Sequence, residues 1–408
     1  MRFDVAIIGG GASGVMAALA AKQTNAALSV AVLEKNPRVL RKLLATGNGR
    51  CNFTNEWIVA ERYYGEDAAF AMPALQAFGA AEARAFFAHL GVPSVVLEKG
   101  KIFPMSLQAA SVADALRFEA ERVGVEMITG FAAQSARGAD GSFAVLSADK
   151  RMVQAGRLIM AAGGCASPEL GADGSGYALM ERFGHAVTKL SPALMQLKTE
   201  KSIVHGLQGV KLDARVSFWS GGQCVGTAQD ELLFTEQGLS GAVIFELSVL
   251  WHRFSQLAAQ VDFLPDIEEA ALLRMLAERR TLLGHLTLEN FANGLIHKKL
   301  GQALTKLAGV EKLSMPISAL PDEMLAAMAA AMKRFTVAIT GAPGFKNAQV
   351  TAGGVRTRAF DAQTMESKLV PGLYAAGELL DIYGDCGGFN LQWAWASGYA
   401  AGRSAAMK

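Results

Sequence analysis

The chain has 408 residues, which exceeds the usual size of a single domain, so two or more domains are expected. Its formal net charge of +2 supplies no long-range field to gather nucleic acid, and no stretch reaches the roughly 18 uninterrupted apolar residues of a membrane span. The four cysteines and six histidines show neither paired thiols nor metal-ligand spacing, so no disulfide framework and no metal site is predicted. We therefore expect a cytoplasmic protein with no nucleic-acid or membrane partner, and the sequence leaves its oligomeric state open.

The chain begins with the order of elements expected of a dinucleotide-binding βαβ unit. An apolar run at 3–8 predicts a buried strand, and the glycine-rich segment 9–14 follows it directly. A helix is predicted over 13–23, and a second apolar run at 28–33 leads to Glu34. Glu34 would accept hydrogen bonds from ribose hydroxyls and would repel a 2′-phosphate, so a dinucleotide other than NADP is predicted. The alternative is a glycine-rich turn in some other α/β fold.

The residues of this turn have separate roles in that interpretation. Gly9 permits a tight turn, Gly11 lets the backbone approach a pyrophosphate, and Gly14 lets the helix and the strand pack closely. Ala12 and Ser13 open the helix, whose positive N-terminal end would face the phosphates. All five are therefore predicted cofactor contacts.

A basic, glycine-rich loop follows the second strand. It combines cations, flexible backbone and amide side chains, which suit the surroundings of a phosphate and a ribityl chain. The contacts predicted here are Lys42, Gly47, Asn48, Gly49, Arg50, Cys51 and Asn52. Lys42 and Arg50 would offset the charge of the pyrophosphate. Taken alone, this segment is equally compatible with an ordinary solvated loop.

Further segments complete the first predicted domain. An amphipathic helix at 114–124 leads into an extended run at 125–133 that would line the adenine. A buried strand at 157–164 ends in small residues, which leaves space for a cofactor at the carboxyl edge of a sheet, and the loop 171–176 precedes another helix. The contacts predicted in these segments are Ala162, Gly163, Gly164 and Asp173.

The middle of the chain has a different pattern. Alternating apolar positions from 210 to 235, broken at 220–223, predict a β-hairpin. The segments 266–308 and 321–335 have helical spacing. We therefore predict an inserted β part that carries a helical part, after which the chain returns at 349–355 to the sheet where it began.

The last segment carries the most specific chemistry. A short strand is predicted to end at Gly377 and Glu378, and Glu378 would face the ribityl or phosphate end of the cofactor. A glycine-led helix follows, and the contacts predicted at its start are Gly387, Gly388, Phe389, Asn390 and Leu391. Its first amides lack intrahelical partners and would stabilise negative charge on an isoalloxazine ring. The alternative is a close-packed helix start, and Trp393 and Trp395 are predicted to be core residues.

Three stretches carry a resemblance to a known family. They are RKLLATGNGRCNFTN at 41–55, ELLFTEQGLSGAVIFELS at 231–248, and TAGGV with GELLDIYGDCGGFNLQWAWASG between 351 and 398. With these motifs the chain resembles, over essentially its whole length, the bacterial two-dinucleotide-fold flavoproteins, a family that includes aminoacetone oxidases and bile-acid reductases. The resemblance implies an α/β fold with a glutathione-reductase-type, Rossmann-like FAD-binding domain, an inserted β-barrel-like domain and a small helical subdomain. It also implies FAD contacts at Lys35 and Ala132.

The expected domain boundaries follow this architecture. The FAD-binding domain is expected to consist of residues 1–190 and 349–408. The inserted β domain is expected at 191–255, with its last strand in 333–348. The helical subdomain is expected at 256–332.

The chemistry expected is that of an FAD-dependent oxidoreductase, which passes a hydride between a small organic substrate and the flavin. NAD(P)H is a candidate transient co-substrate and oxygen a candidate acceptor, and the substrate is expected between the FAD domain and the inserted region. Asp381 is a further predicted cofactor contact. Tyr383 and Cys386 are candidate proton donors, and a purely structural role stays open for each. The alternative function is a flavoprotein that acts in nucleic-acid modification or uses FAD for structure or sensing.

Overall fold

The computed structural model describes residues 1–139 and 141–408. They divide into two compact units. Unit 1 contains Met1–Ala193 and Phe345–Lys408, and unit 2 contains Leu194–Gly344. The two ends of the chain therefore build one unit together. Among the described residues, no helix is both long and apolar enough to cross a membrane.

The strands and helices of unit 1 up to residue 193 follow the chain. The strands are β1 (Arg2–Ile8), β2 (Val30–Leu33), β3 (Thr54–Asn55), β4 (Tyr63–Tyr64), β5 (Ser94–Val96), β6 (Lys101–Pro104), β7 (Val125–Ile128), β8 (Ala133–Ala139), β9 (Ser142–Ser147), β10 (Met152–Met160) and β11 (Ser191–Ala193). The helices are α1 (Ala12–Thr24), α2 (Arg41–Ala45), α3 (Met72–Ala77), α4 (Ala80–His89), α5 (Ala109–Arg122) and α6 (Ser175–Arg182).

Unit 2 and the end of the chain supply the remaining elements. The strands of unit 2 are β12 (Leu197–Thr199), β13 (Lys211–Ser220), β14 (Gln223–Phe234), β15 (Gly238–Ser240), β16 (Ala258–Asp262) and β17 (Phe335–Gly341). Its helices are α7 (Lys201–Val204), α8 (Ala242–Leu247), α9 (Glu269–Leu282), α10 (Lys298–Leu307) and α11 (Asp322–Lys333). The chain ends with β18 (Val350–Ala352), β19 (Leu373–Ala375), β20 (Tyr383–Gly384) and α12 (Phe389–Met407).

The main sheet of unit 1 confirms the predicted βαβ start. Its order is β7-β2-β1-β10-β9-β8, and β19 pairs with β10. The pairs β7-β2, β2-β1, β1-β10 and β10-β19 are parallel, so their carboxyl ends meet at one edge. Val5, Ile7 and the rest of β1 from Val5 onward are buried, as expected for a central parallel strand covered on both faces. This edge is where ligands bind in open α/β sheets.

The return of the chain to this sheet differs from the prediction. The segment 349–355 was expected to supply the returning strand, but its strand β18 pairs with β11 in a separate two-stranded sheet. The strand that returns is β19, where Leu158 of β10 faces Leu373. Gly353 directly follows β18 and has a φ of +92°, and a Cβ there would overlap the backbone of Lys189, so the chain turns away at this point. The pattern of apolar residues at 349–355 does not distinguish these two pairings.

Helices α1 and α12 cross at backbone contact. A Cβ on Gly398 would overlap the carbonyl oxygen of Ser13, and a Cβ on Gly402 would overlap that of Ala17. The two glycines lie four residues apart and therefore share one face of α12. Trp393 and Trp395 are buried, as predicted for core residues. The close crossing brings the beginning and the end of the chain together.

Unit 2 contains a closed antiparallel barrel in the order β12-β15-β14-β13-β16-β17. The predicted hairpin is confirmed, because β13 and β14 pair from Lys211 and Leu233 to Ser220 and Gln223. Lys333 at the end of α11 donates hydrogen bonds to the carbonyls of Leu264 and Ile267 and forms a 2.7 Å ion pair with Asp262. These contacts anchor α11 to the segment that follows β16. The predicted α/β fold, with a Rossmann-like domain, a barrel and a helical part, is confirmed.

Candidate functional site

The start of α1 lies at the carboxyl edge of the parallel sheet and has space for a ligand. A Cβ on Gly9 would overlap the carbonyl oxygen of Ala161, and one on Gly14 would overlap that of Gly9, so the protein itself requires both glycines. Gly11 is different, because no described atom beyond its chain neighbours and the adjoining helix backbone lies within 4 Å of the position that its Cβ would take. Ala12 and Ser13 follow it in the first turn, and no side chain of the described residues caps that turn. The open position beside uncapped amides is suited to an anion such as a pyrophosphate.

Glu34 lies at the end of β2 and is 7% exposed. Its Oε2 accepts a hydrogen bond from the amide of Gly10 at 2.7 Å, and its Oε1 accepts from the amide and the side chain of Asn36 at 2.8 and 2.7 Å. The backbone amide of Phe131 donates to the carbonyl oxygen of Glu34, which places the exposed Ala132 next to this strand end. The fold therefore holds the Glu34 carboxylate beside the glycine turn.

Lys35 and Asp173 form an ion pair of 2.6 Å between the end of β2 and the loop before α6. Burial opposes ionisation of Asp173, but hydrogen bonds from Lys35 and Ser175 hold the pKa of its carboxyl below the usual value. The charges of these two predicted contacts, Lys35 and Asp173, thus neutralise each other at the edge of the sheet.

Lys42 and Glu378 lie 336 residues apart in the chain and form an ion pair of 2.7 Å. The other carboxylate oxygen of Glu378 accepts from the amide of Thr351 at 2.8 Å. The hydroxyl oxygen of Thr351 accepts from the amides of Cys165 and Ala166 at 2.8 and 3.2 Å. This network, which we call the Glu378 network, ties the α2 region to the end of β10 and to β18.

The small residues after β10 lie in this network. A Cβ on Gly164 would come within 2.8 Å of Oε1 of Glu378, and Ala162 packs against the start of α6, where it comes within 2.7 Å of the Cβ position of Gly176. Gly163 adopts a φ of +74°. Gly377 adopts a φ of +70°, and a Cβ there would come within 2.5 Å of the Ser13 hydroxyl. The strand ends β10 and β19 therefore converge on the first turn of α1.

The loop 46–52 is held in an unusual backbone conformation. Gly47, Asn48, Gly49 and Cys51 all have φ values between +56° and +81°. Cys51 is fully buried, and burial raises the pKa of its thiol to about 12, so the thiol keeps its proton. Arg50 is exposed, donates to the carbonyl of Gly47 at 3.2 Å and lies over the ring of Phe103.

Asn52 connects this loop to the start of α12. A Cβ on Gly388 would overlap the carbonyl oxygen of Thr54 and would lie 3.0 Å from Oδ1 of Asn52. Oδ1 of Asn52 is buried, and none of the described residues supplies it with a hydrogen-bond partner. Gly388 caps α12 without a side-chain hydrogen bond, and Phe389, Asn390 and Leu391 form its first turn. An unpaired acceptor beside free helix amides is the second place where a polar ligand fits.

The turn between β20 and α12 is rigidly supported. The side chain of Asn390 accepts from the amide of Gly384 and donates to the carbonyls of Gly384 and Asp385. Asn55 donates to the carbonyl of Gly387 at 2.9 Å. The buried carboxylate of Asp385 accepts from Arg62 at 2.9 Å and from Tyr64 at 2.8 Å.

The two predicted proton donors lie on this turn. Tyr383 is 4% exposed, and its ring lies 5.4 Å from that of Tyr64 across the β20-β4 pair. Cys386 is half-buried. Asp381 is 3% exposed, accepts a hydrogen bond from the amide of Glu66 at 3.2 Å, and has a pKa that burial raises above the usual value.

The structure thus groups the predicted residues around two helix starts. The glycine turn, Glu34 and Gly377 lie at the start of α1. Asn52 and the turn 384–388 lie at the start of α12. Arg50 is directed to Phe103 and Gly47, apart from these polar contacts. Sequence reasoning missed Thr351 and Asn55, although each stands in one of the family motifs, which is the signal that could have found them.

The two sites fit an FAD molecule. An empty Cβ position at Gly11 accommodates backbone approach to a pyrophosphate, and the buried carboxylate of Glu34 accommodates ribose hydroxyls. The unpaired acceptor of Asn52 is chemically matched to a donor such as the N3–H group of an isoalloxazine. The residues present therefore suit both halves of the dinucleotide.

Comparison with known proteins agrees with this assignment. The family model described as HI0933-like protein Rossmann domain matches residues 3–404. A solved structure of a mutant FrdA protein from Escherichia coli quinol fumarate reductase is 14% identical to this chain, with a TM-score of 0.51. The match covers 100% of this chain and 70% of the FrdA chain. This likeness extends to the fold alone.

Two curated relatives cover nearly the whole chain. The 3-dehydro-bile acid delta(4,6)-reductase of Clostridium scindens is 40% identical over 408 residues, with 99% of each chain covered. The ribosomal RNA dihydrouridine synthase of Escherichia coli is 30% identical over 402 residues, with 98% of this chain and 97% of the relative covered.

Proposed function

The chain belongs to the HI0933-like Rossmann-domain family and is an FAD-dependent oxidoreductase, and on this premise we propose that it reduces a carbon–carbon double bond conjugated to a carbonyl group in a small apolar molecule. The substrate class favoured is a 3-oxo steroid with double bonds at positions 4 and 6. The relative at 40% identity over 99% of both chains supports this class by its name. The observation that carries the site is the unpaired Asn52 oxygen beside the uncapped start of α12.

The proposed FAD contacts divide between the two helix starts. Glu34 would bind the adenosine ribose, and the amides of Ala12 and Ser13 would bind the pyrophosphate at the open side of Gly11. Asn52 would accept from the flavin ring, and the amides at the start of α12 would lie at its electron-rich edge.

When bound, FAD supplies the hydride equivalent that such a reduction needs. The chain's own part is to orient and to stabilise. The amides at the start of α12 would favour negative charge nearby, because the positive end of a 19-residue helix points there. The support of the turn by Asn390, Asn55 and Asp385 keeps these amides in place before any substrate arrives, so little reorganisation accompanies the reaction.

Reduction of a conjugated double bond also requires a proton on the carbon of that bond nearer the carbonyl, while the hydride adds to the farther carbon. Oη of Tyr383 and Sγ of Cys386 are the proposed sources, because both lie on the turn that leads to α12. The burial of Tyr383 against Tyr64 suits a fixed donor, whereas the half-buried Cys386 is the more accessible of the two. A conservative substitution of one residue at a time tests proton donation by Tyr383 and by Cys386 separately.

NAD(P)H is the proposed reductant, with oxygen as the competing acceptor. The test is anaerobic stopped-flow mixing of the holoenzyme with NADH or NADPH, followed by a 3-oxo-4,6-diene bile acid or its saturated 3-oxo counterpart. We expect the nicotinamide to bleach the flavin and only the diene to restore its colour. Equal reoxidation by the saturated compound, or no bleaching by either nicotinamide, would contradict the proposal.

A ribosomal RNA substrate is the second candidate, since the relative at 30% identity is named a ribosomal RNA dihydrouridine synthase. Uridine also contains a double bond conjugated to a carbonyl, so the same chemistry would apply. The net charge of +2 favours the small molecule, because a protein that binds RNA usually carries a basic surface. Nucleoside mass spectrometry of ribosomal RNA after incubation with the reduced enzyme separates the two, and formation of dihydrouridine would favour RNA.

A further inference from the structure

Tyr177 is a buried residue that the proposed contacts leave without a role. It lies in the first turn of α6 and is 5% exposed. None of residues 1–139 and 141–408 provides a hydrogen-bond partner for its hydroxyl group. A buried phenol without a partner is unusual, because a phenylalanine would pack equally well without leaving a donor unsatisfied.

The surroundings of Tyr177 place it beside the Glu378 network. A Cβ on Gly174 would lie 3.6 Å from the Tyr177 ring and 2.7 Å from Sγ of Cys165, so the ring and the thiol flank the same glycine. The neighbouring Gly176 packs against Ala162 and Leu379. The titratable neighbours that act on the hydroxyl are Glu378, Cys165 and Asp381. Burial, and to a lesser degree these neighbours, raise the pKa of the phenol, which therefore keeps its proton and can donate a hydrogen bond.

The carboxylates of Glu378 and Asp381 have hydrogen-bond partners of their own. One oxygen of Glu378 is bonded to Lys42 and the other to the amide of Thr351. Asp381 in turn accepts from the amide of Glu66. None of these carboxylate hydrogen bonds involves the Tyr177 hydroxyl, so a group added to this region is the acceptor to consider.

The position in the sheet indicates which half of the dinucleotide supplies that acceptor. Glu34, which would hold the adenosine ribose, ends β2 on one side of β1. Cys165 and Glu378 follow β10 and β19 on the other side of β1. A dinucleotide laid along this edge with its adenosine at β2 has its flavin half on the β10 side.

From this geometry we propose that the Tyr177 hydroxyl donates a hydrogen bond to the flavin half of bound FAD. This inference rests on the proposed FAD binding. It adds a contact from a residue that lies outside both the glycine-rich segment 9–14 and the three family motifs. The contact forms only in the holoenzyme, so its removal changes cofactor affinity and leaves the apoprotein intact.

The test compares Tyr177→Phe with Tyr374→Phe in the apoprotein. Tyr374 is a matched control, because it is 0% exposed, its hydroxyl also lacks a partner among the described residues, and its neighbouring charges are Glu366 and Arg157. FAD and ADP are titrated against each variant, and ADP reports the adenosine half alone. We expect Tyr177→Phe to raise the dissociation constant of FAD about tenfold and to leave that of ADP unchanged, whereas Tyr374→Phe changes neither.

Three results would overturn the proposal. An unchanged FAD affinity in Tyr177→Phe would remove the contact. An equal loss of ADP affinity would assign it to the adenosine half. A lower melting temperature of the Tyr177→Phe apoprotein relative to Tyr374→Phe would reveal a partner within the protein. Failure of the unmodified protein to bind FAD would instead defeat the proposed function as a whole.

Discussion

Helices α1 and α12 both begin with glycines, but Gly11 at the start of α1 and Gly388 at the start of α12 are glycines for different reasons. At the start of α12, Gly388 has a φ of +103°, and a Cβ would overlap the carbonyl oxygen of Thr54, so the fold alone requires glycine. At the start of α1, Gly11 has a φ of −80° and no described neighbour within 4 Å of its Cβ position. A glycine motif therefore indicates a ligand only where the fold leaves the space beside the glycine empty.

Gly388→Ala gives the largest expected effect. It combines a left-handed φ with overlap against a backbone atom that cannot move away, so we expect the unfolding free energy of the apoprotein to fall by about 3 kcal/mol or more. Chemical denaturation of the apoprotein measures this loss. An unchanged midpoint would mean that the start of α12 is free to shift, which would remove the contrast with α1.

The pH dependence of stability is expected to come from neither helix start. His185 is 3% exposed and stacks on Phe360, and burial lowers its pKa to about 4. A lowered histidine pKa means that the unfolded chain binds the proton more readily, so stability is complete above about pH 6.5 and falls as the pH drops towards 4. We expect this residue to account for about 2 to 3 kcal/mol of that fall.

The control for this pH effect is His185→Phe, which keeps the stacking on Phe360. The difference in unfolding free energy between the variant and the unmodified apoprotein should change between pH 7 and pH 4 and then level off. A difference that is constant over this range would assign the acid sensitivity to other groups.

Gly11→Ala is expected to act on the ligand and not on the fold. The added methyl group fills the space proposed for the pyrophosphate, so the dissociation constant of FAD should rise by about 10- to 100-fold, or roughly 1.4 to 2.8 kcal/mol. The apoprotein should lose at most about 1 kcal/mol, the scale of a weak helix cap. Titration and denaturation of the same preparation separate the two effects. Destabilisation as large as in Gly388→Ala would show that Gly11 is a packing residue.

Two asparagines sharpen the comparison within the α12 region. Asn52→Ala removes an oxygen that has no partner among the described residues, so apoprotein stability should change little while FAD affinity falls by about 1 kcal/mol. Asn390→Ala removes three hydrogen bonds within the turn, so apoprotein stability should fall instead. The reverse pattern would place the flavin contact at Asn390.

The elements that could be predicted from sequence are those with local signals. The βαβ start follows from an apolar run, a glycine turn and an acid, and the β13-β14 hairpin follows from alternation broken by turn residues. The return of segment 349–355 to the main sheet was predicted wrongly, because a three-residue strand such as β18 carries no signal for its partner, which is β11. The Lys42–Glu378 pair and the unsatisfied hydroxyl of Tyr177 depend on contacts between distant segments, and no local pattern encodes them.

The most direct test of the account is the identity of the flavin released when the purified protein is denatured. Both helix starts are assigned to one dinucleotide, with Glu34 and Gly11 at the adenosine end and Asn52 at the flavin end. Chromatography of the supernatant should therefore yield FAD, in a ratio of one per chain. Release of FMN, or a colourless protein that takes up no FAD on reconstitution, would contradict the central claim.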